Sequence, residues 1–267
     1  EEQQTYTTSA EAAVKSVFEL EPLMIERGED IVELYIQADS QGKLGDVRDI
    51  VVQRTDISWE IGFSIKHNHF AVKHSRLSPT IDFGKIWFDS PCSDVYWNAV
   101  TPVFDYLKEE KSKRTYFRNL PNKEQTVYVP IVQAFIDEIQ RQYKFHKDIP
   151  AKLVEYLLSR YDFYKIISID AHRITQIQSY NLHGTLNKAA RNAMPTIQVP
   201  HIVLPNRIIN IGFVPGRHNT AELYMDGGWQ FTFRIHNAED IATPSLKFDI
   251  QIVGMPTTII TINCLWN

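Results

Sequence analysis

Cysteine is scarce in this chain. Cys92 and Cys264 are the two present in 267 residues, and they lie far apart. That pattern excludes a disulfide framework and a Cys-rich structural zinc site, and it fits buried thiols in a reducing compartment such as a prokaryotic cytoplasm. No apolar run approaches the ~20 residues of a membrane-spanning helix, and no signal peptide is visible, so no membrane role is expected. Neither sign of charge dominates: 28 Lys and Arg stand against 32 Asp and Glu, a formal charge of −4. A global positive field that draws a protein onto nucleic acid is therefore missing, although a basic face on an otherwise acidic chain is compatible with DNA binding. There is no G-x-x-x-x-G-K-[ST] loop, no G-x-G-x-x-G after a strand and no G-x-S-x-G elbow, which argues against a nucleotide-binding enzyme and a serine hydrolase.

What is present is an ordinary globular composition, 43% hydrophobic and 22% charged, with core enough for one large domain or two modest ones. Ser9–Met24 has a helical apolar period with Ser9 as the expected cap. Asp30–Asp39, Arg48–Arg54 and Trp59–His67 read as strands, the last two joined by the short "TDIS". The middle is helical: a segment capped by Ser93, then "PIVQAFIDEIQRQYKFH" and "IPAKLVEYLLSRY", each with proline in its first turn. From about residue 165 the chain turns to strands, with "DGG" (Asp226–Gly228) as a hairpin turn. There is no internal repeat. The expectation is a mixed α+β (α/β) architecture in a single domain over 1–267. A subdivision is possible into a core with helices (1–165) and a strand-rich part (166–267).

The segment "WEIGFSIKHNHFAVKHSRL" (Trp59–Leu77) holds most of the functional signal. Adjacent His67, Asn68 and His69 cannot reproduce an HNH nuclease, whose three residues are spread over a ββα unit. His67, His69 and His74 lack a carboxylate or cysteine at ligand spacing, which disfavours zinc. Lys66, His67, His69, Lys73, His74 and Arg76, with Ser75 and Ser78, form either a solvated strip or a phosphate-contacting one. A further reading centres on Lys66, which ends the alternation Ile61, Phe63, Ile65 on the opposite face. Asp49 opens the neighbouring strand, so a carboxylate and an ammonium converge. That pairing suits metal-assisted phosphodiester hydrolysis, though an ordinary Asp and Lys on an exposed strand have the same spacing.

The spacing of Asp49 and Lys66, with "SIK" at its end, resembles the PD-(D/E)xK nuclease pattern. The strings "YIQADSQGKLGDVRDIVV", "EIGFSIKHNHFAVKHSRLS" and "GWQFTFRIHNAEDIATPSLKFDIQIVGMP" resemble the HaeIII family of type II restriction endonucleases, from about Leu34 to the C-terminus. The resemblance implies a restriction-endonuclease-like core, a central mixed β-sheet flanked by helices. It also implies Mg²⁺ as cofactor, double-stranded DNA as substrate, GGCC as recognition sequence and, genetically, a companion DNA methyltransferase. Carried over by position, Asp49 is the metal-binding carboxylate and Lys66 the catalytic lysine, with Asp46 a second acidic candidate for the metal. The departure is Ser64, which stands where the pattern has Asp or Glu and cannot ligate as a carboxylate does. Glu60 shares its strand face but lies roughly 20 Å from Lys66 at strand rise. A carboxylate from Glu11, Glu19 or Glu21 is an alternative.

Reading G·C pairs calls for Arg or Lys at guanine O6 and N7, and Asp or Glu at cytosine N4. "FRIHNAEDIATPSLKFD" supplies Arg234, His236, Asn237, Glu239 and Lys247, and the "PGRHNT" loop supplies Arg217. Together with Lys73, His74, Arg76 and Ser78, and with His67, Asn68 and His69 beside Lys66, these are the expected DNA contacts. A structure-specific or repair nuclease and a non-catalytic DNA-binding module remain alternatives. A palindromic site is compatible with either a monomer or a homodimer.

Overall fold

The computed structural model describes residues 2–25, 31–37, 46–68 and 73–266, with only the backbone of Glu2, Lys73 and His74. Its contacts divide the chain into two units whose segments alternate: Glu1–Phe70, Leu158–Val203 and Pro256–Asn267 in one, Ala71–Leu157 and Leu204–Met255 in the other. The expected subdivision near residue 165 compares with a first unit that draws its segments from the start, the middle and the end of the chain.

The first unit is a six-stranded mixed sheet under one long helix, α1 (Glu2–Leu20). Its strands are β1 (Glu33–Ile36), β2 (Ile50–Arg54), β3 (Trp59–His67), β5 (Phe163–Ile169), β6 (Ile174–Tyr180) and β11 (Thr261–Leu265), ordered β1-β2-β3-β5-β6-β11. All neighbours are antiparallel except β3 and β5, which run parallel with Ser64 opposite Lys165. Alternation along β3 and β5 explains the layering. Ile61, Phe63 and Tyr164 face α1 and pack on Ala13, Val17 and Leu20. Gly62, Ser64, Lys66 and Lys165 fall on the opposite face. The helix starts well before Ser9, so Ser9 is no cap. It is buried, and its Oγ bonds the hydroxyls of Ser168 and Thr175. The apolar period made the helix legible; its early polar residues hid its start.

The second unit is an antiparallel sheet, β4-β10-β9-β8-β7. It is made of β4 (Lys73–Leu77), β7 (Ile208–Phe213), β8 (Thr220–Met225), β9 (Gln230–Asn237) and β10 (Leu246–Gly254), with helices α2 (Phe83–Phe88), α3 (Asp94–Ser112), α4 (Val129–Phe145) and α5 (Ile149–Leu157). Ser93 caps α3 as expected, its Oγ accepting from the Tyr96 amide. Phe231, Phe233, Ile235, Leu246, Phe248 and Ile250 are buried, and the rings of Phe233 and Phe248 meet Trp87 and Phe135. Burying a side chain of this size stabilises by roughly 1.5–3 kcal/mol, which fixes the strand register. The other face is left polar. At the β8–β9 turn Gly227 and Gly228 take φ of 72° and 89°, the left-handed region glycine enters without strain. Among the described residues no helix is long and apolar enough to cross a membrane, and Cys92 and Cys264 are buried free thiols.

Candidate functional site

Asp49 lies in the bend just before β2. Its amide donates to the Phe63 carbonyl at 2.7 Å and its carbonyl accepts from the Gln37 amide at 2.9 Å, which holds the backbone on both sides. The side chain then turns to the end of β3. Asp49 Oδ2 accepts from the Ile65 amide at 2.6 Å and from Lys66 Nζ at 3.2 Å. The Asp49 side chain is 45% exposed and that of Lys66 26%, so a substrate can reach the pair. The expected meeting of carboxylate and ammonium is present, and the Ile65 amide orients the carboxylate.

Ser64, one step back on the same face, is buried. Its register partner is Lys165, also buried. Burial, then the nearby Lys66 cation, lowers the Lys165 pKa to about 8. The sheet face thus carries two lysines beside the position where the resembled pattern has an acid. Lys165 was not anticipated; its one signal is a cation interrupting the apolar run of "FYKIISI".

Asp46 is engaged elsewhere. Its Oδ1 accepts from the Arg48 amide and Nε, and its Oδ2 from Arg48 Nη2 and Gln37 Nε2, at 2.8–3.1 Å. These bonds occupy the four lone-pair directions a carboxylate offers. Burial alone would raise the Asp46 pKa, but the bonds from Arg48 and Gln37 outweigh it and hold the carboxyl below its usual range. Arg48 also bonds Glu60 through Nη1 and lies over the Tyr161 ring at 4.1 Å. Its chain crosses Gly62 so closely that a Cβ there would come within 1.9 Å of Arg48 Cδ. Arg48 therefore ties both acids to the strand, and Asp46 is placed as a support for the bend rather than with Asp49 and Lys66.

The helix carboxylates belong to the α1 side of the sheet, the face opposite Ser64 and Lys66. Glu11 and Glu19 are exposed on α1. Glu21 is buried on the α1 side, where its Oε1 accepts from Tyr164 Oη at 2.7 Å and the Asn187 amide at 2.6 Å. Burial pushes its pKa up to about 7. Among the described residues no group of three or more His, Cys, Asp and Glu is arranged to hold a metal.

The histidine cluster closes a turn. His67 Nε2 meets Asp170 Oδ2 at 2.7 Å, Asn68 Nδ2 donates to the same oxygen at 2.9 Å, and the Asp170 amide donates to Asn68 Oδ1 at 3.0 Å. Asn68 sits at φ 51°, a left-handed position Asn tolerates. The Tyr6 ring meets His67 edge-on, centroids 5.1 Å apart. His69 lies outside the described residues.

The remaining candidates sit on the second unit. Lys73, His74 and Arg76 are on β4, paired with Ile250, Asp249 and Lys247 of β10. Arg76 is exposed and donates to Ser245 Oγ at 3.3 Å. Ser78 is buried with its Oγ against Thr80, so it closes a turn instead of reaching out. Asn237 is likewise committed inward: Nδ2 donates to the Glu239 and Ile241 carbonyls, and Oδ1 accepts from the Thr243 amide and hydroxyl. Burial lowers the His236 pKa. Arg217 and Arg234 are exposed, and Lys247 is half-buried opposite His236. The outer face of β10-β9-β8 is therefore a polar array built by alternation.

The sequence profile described as HaeIII restriction endonuclease matches residues 1–256. The Type II restriction enzyme HaeIII of Haemophilus aegyptius is 52% identical over 266 residues, covering 99% of this chain and 83% of that protein. No solved structure matches.

Proposed function

This chain belongs to the HaeIII restriction endonuclease family and is a site-specific deoxyribonuclease; from that premise we propose that Asp49 and Lys66 carry its chemistry. The substrate is double-stranded DNA, with GGCC the recognition sequence that the family resemblance implies. The contact of Lys66 Nζ with Asp49 Oδ2 at the open end of β3 is the observation that carries this reading.

The family implies a divalent metal, and the donor set fits Mg²⁺. That ion keeps several waters and takes one or two carboxylates together with substrate phosphate oxygens. Asp49 supplies a partly exposed carboxylate; Ser64 supplies none, and Asp46 is occupied by Arg48. When bound, the ion lowers the pKa of a water and offsets phosphate charge. The chain's own residues do the rest. The Ile65 amide aims the Asp49 carboxylate, and the Lys66 ammonium donates to a phosphate oxygen or to the attacking water. Arg48 braces the bend through Asp46 and Glu60. Arg76, Lys247 and Arg217 supply phosphate contacts.

Asp49→Asn and Lys66→Ala test the assignment, with cleavage and DNA binding measured separately. The expected result is a loss of cleavage of about 10²–10⁴-fold or more, with specific binding kept within a few-fold. Near-normal cleavage by Lys66→Ala in Mg²⁺ would remove Lys66 from the mechanism. An enzyme that cuts at discrete sites needs its host genome protected, and a companion methyltransferase is the expected means.

A further inference from the structure

The polar face of the second unit holds a cleft of about 360 Å³ bordered by Arg217, Thr220, Thr232, Arg234, Asp249 and Gln251. Asp249 is the unexpected member. The antiparallel register sets it directly across from Arg234, with Thr220 on Arg234's other side and the pair Gln251 and Thr232 in the next row. Arg234 Nη2 donates to Asp249 Oδ2, and the two side chains are 53% and 20% exposed.

On a surface that must approach a polyanion, a carboxylate is repelled by the phosphates. The DNA groups that reward it there are exocyclic amines exposed in the major groove, cytosine N4 and adenine N6. The neighbouring guanidinium decides between them. Its fork matches guanine O6 and N7, and the base paired to that guanine presents N4 beside those acceptors in the same plane. Side chains directly opposite on adjacent strands have Cβ atoms about 4.5–5.5 Å apart, a spacing that lets both reach one base pair. Their mutual bond holds the two in place before DNA arrives, which lowers the ordering cost of binding.

Resting on the restriction-endonuclease reading above, we propose that Arg234 and Asp249 together read one G·C pair of the target, Arg234 donating to guanine and Asp249 accepting from cytosine N4. Asp249 is then a specificity-determining residue, and β10 lies at the base edges.

The test is single-turnover cleavage of duplexes that carry the target with N4-methylcytosine at one cytosine at a time. Wild type, Asp249→Ala and Asp249→Asn are compared, with thermal melting as the control for folding. N4-methylation at one cytosine is expected to slow wild type by about 5- to 150-fold, the range for one good base contact. Asp249→Ala should slow the unmodified site by a similar factor and be indifferent to methylation at that cytosine. Asp249→Asn, which keeps an acceptor oxygen, should fall between them. If the methylation effect persists at full size in Asp249→Ala at every cytosine, or if both variants slow all DNAs equally, the proposal is overturned and Asp249 only braces Arg234. A wild type that cuts at no discrete sequence would instead sink the restriction-endonuclease reading itself.

Discussion

Glu21→Gln separates a metal-binding helix carboxylate from a buried group that carries its proton near neutrality. Glu21 is 0% exposed, and burial raises its pKa from 4.5 to about 7. Between those values the folded chain holds a proton the unfolded chain has lost. The stability this group allows is therefore complete below about pH 4.5 and declines as pH rises through 7. A shift of that size corresponds to about 3 kcal/mol in full, of which roughly 2–3 kcal/mol falls between pH 5 and 8.5. Gln is neutral throughout and retains the acceptor oxygen that serves Tyr164 and Asn187. Its amide hydrogens have no evident acceptor, because Glu21 Oε2 is buried without a partner, so the variant starts with a penalty of about 1–3 kcal/mol. That penalty does not depend on pH. Urea unfolding at pH 5 and pH 8.5 should thus show the variant gaining roughly 2–3 kcal/mol on wild type between the two conditions, with no loss of Mg²⁺-dependent cleavage. A pH-independent difference, or Mg²⁺ stabilising wild type but not the variant, would refute the reasoning and return Glu21 to the list of ligands.

Gly62→Ala should force Arg48 off Asp46 and Glu60, because the added methyl meets Arg48 Cδ. The expected cost is roughly 2–4 kcal/mol in chemical denaturation, and Arg48→Ala added to it should cost little more. Lys165→Met removes a buried ammonium whose pKa stands at about 8 instead of 10.5. The folded chain binds fewer protons than the unfolded one in that window, so wild-type stability should climb from pH 8 to 10.5. The variant should lack that climb and be more stable at pH 7 by roughly 2–3 kcal/mol; a parallel pH profile for the two proteins would contradict the shift.

Strands and helices were legible where one face is apolar. The alternation of β3 and of "WQFTFRIHN" gave the strands because each buries one side, and Ser93 gave its helix start because a hydroxyl there satisfies an amide. The Asp49–Lys66 pairing was legible because two adjacent strands with a short connection leave little freedom in register. Other features were illegible for the same kind of reason. Asn237 and Ser78 look like surface polar residues until the loops they close are formed. Asp46 looks like a free carboxylate until Arg48, two residues on, bonds it while lying across Gly62, fourteen positions further along, a contact set by β2–β3 pairing.

The sequence by itself determined which residues alternate, that α3 begins at Ser93, and that a carboxylate and a lysine would meet on neighbouring strands. These are local consequences of backbone geometry and apolar periodicity. Only the tertiary structure decided that Lys165 sits beside Ser64, that Asp249 faces Arg234, and that Glu21 is buried against Tyr164. Each of those pairs joins residues from separate strands or helices, and their meeting depends on strand order and register, which no short-range pattern encodes.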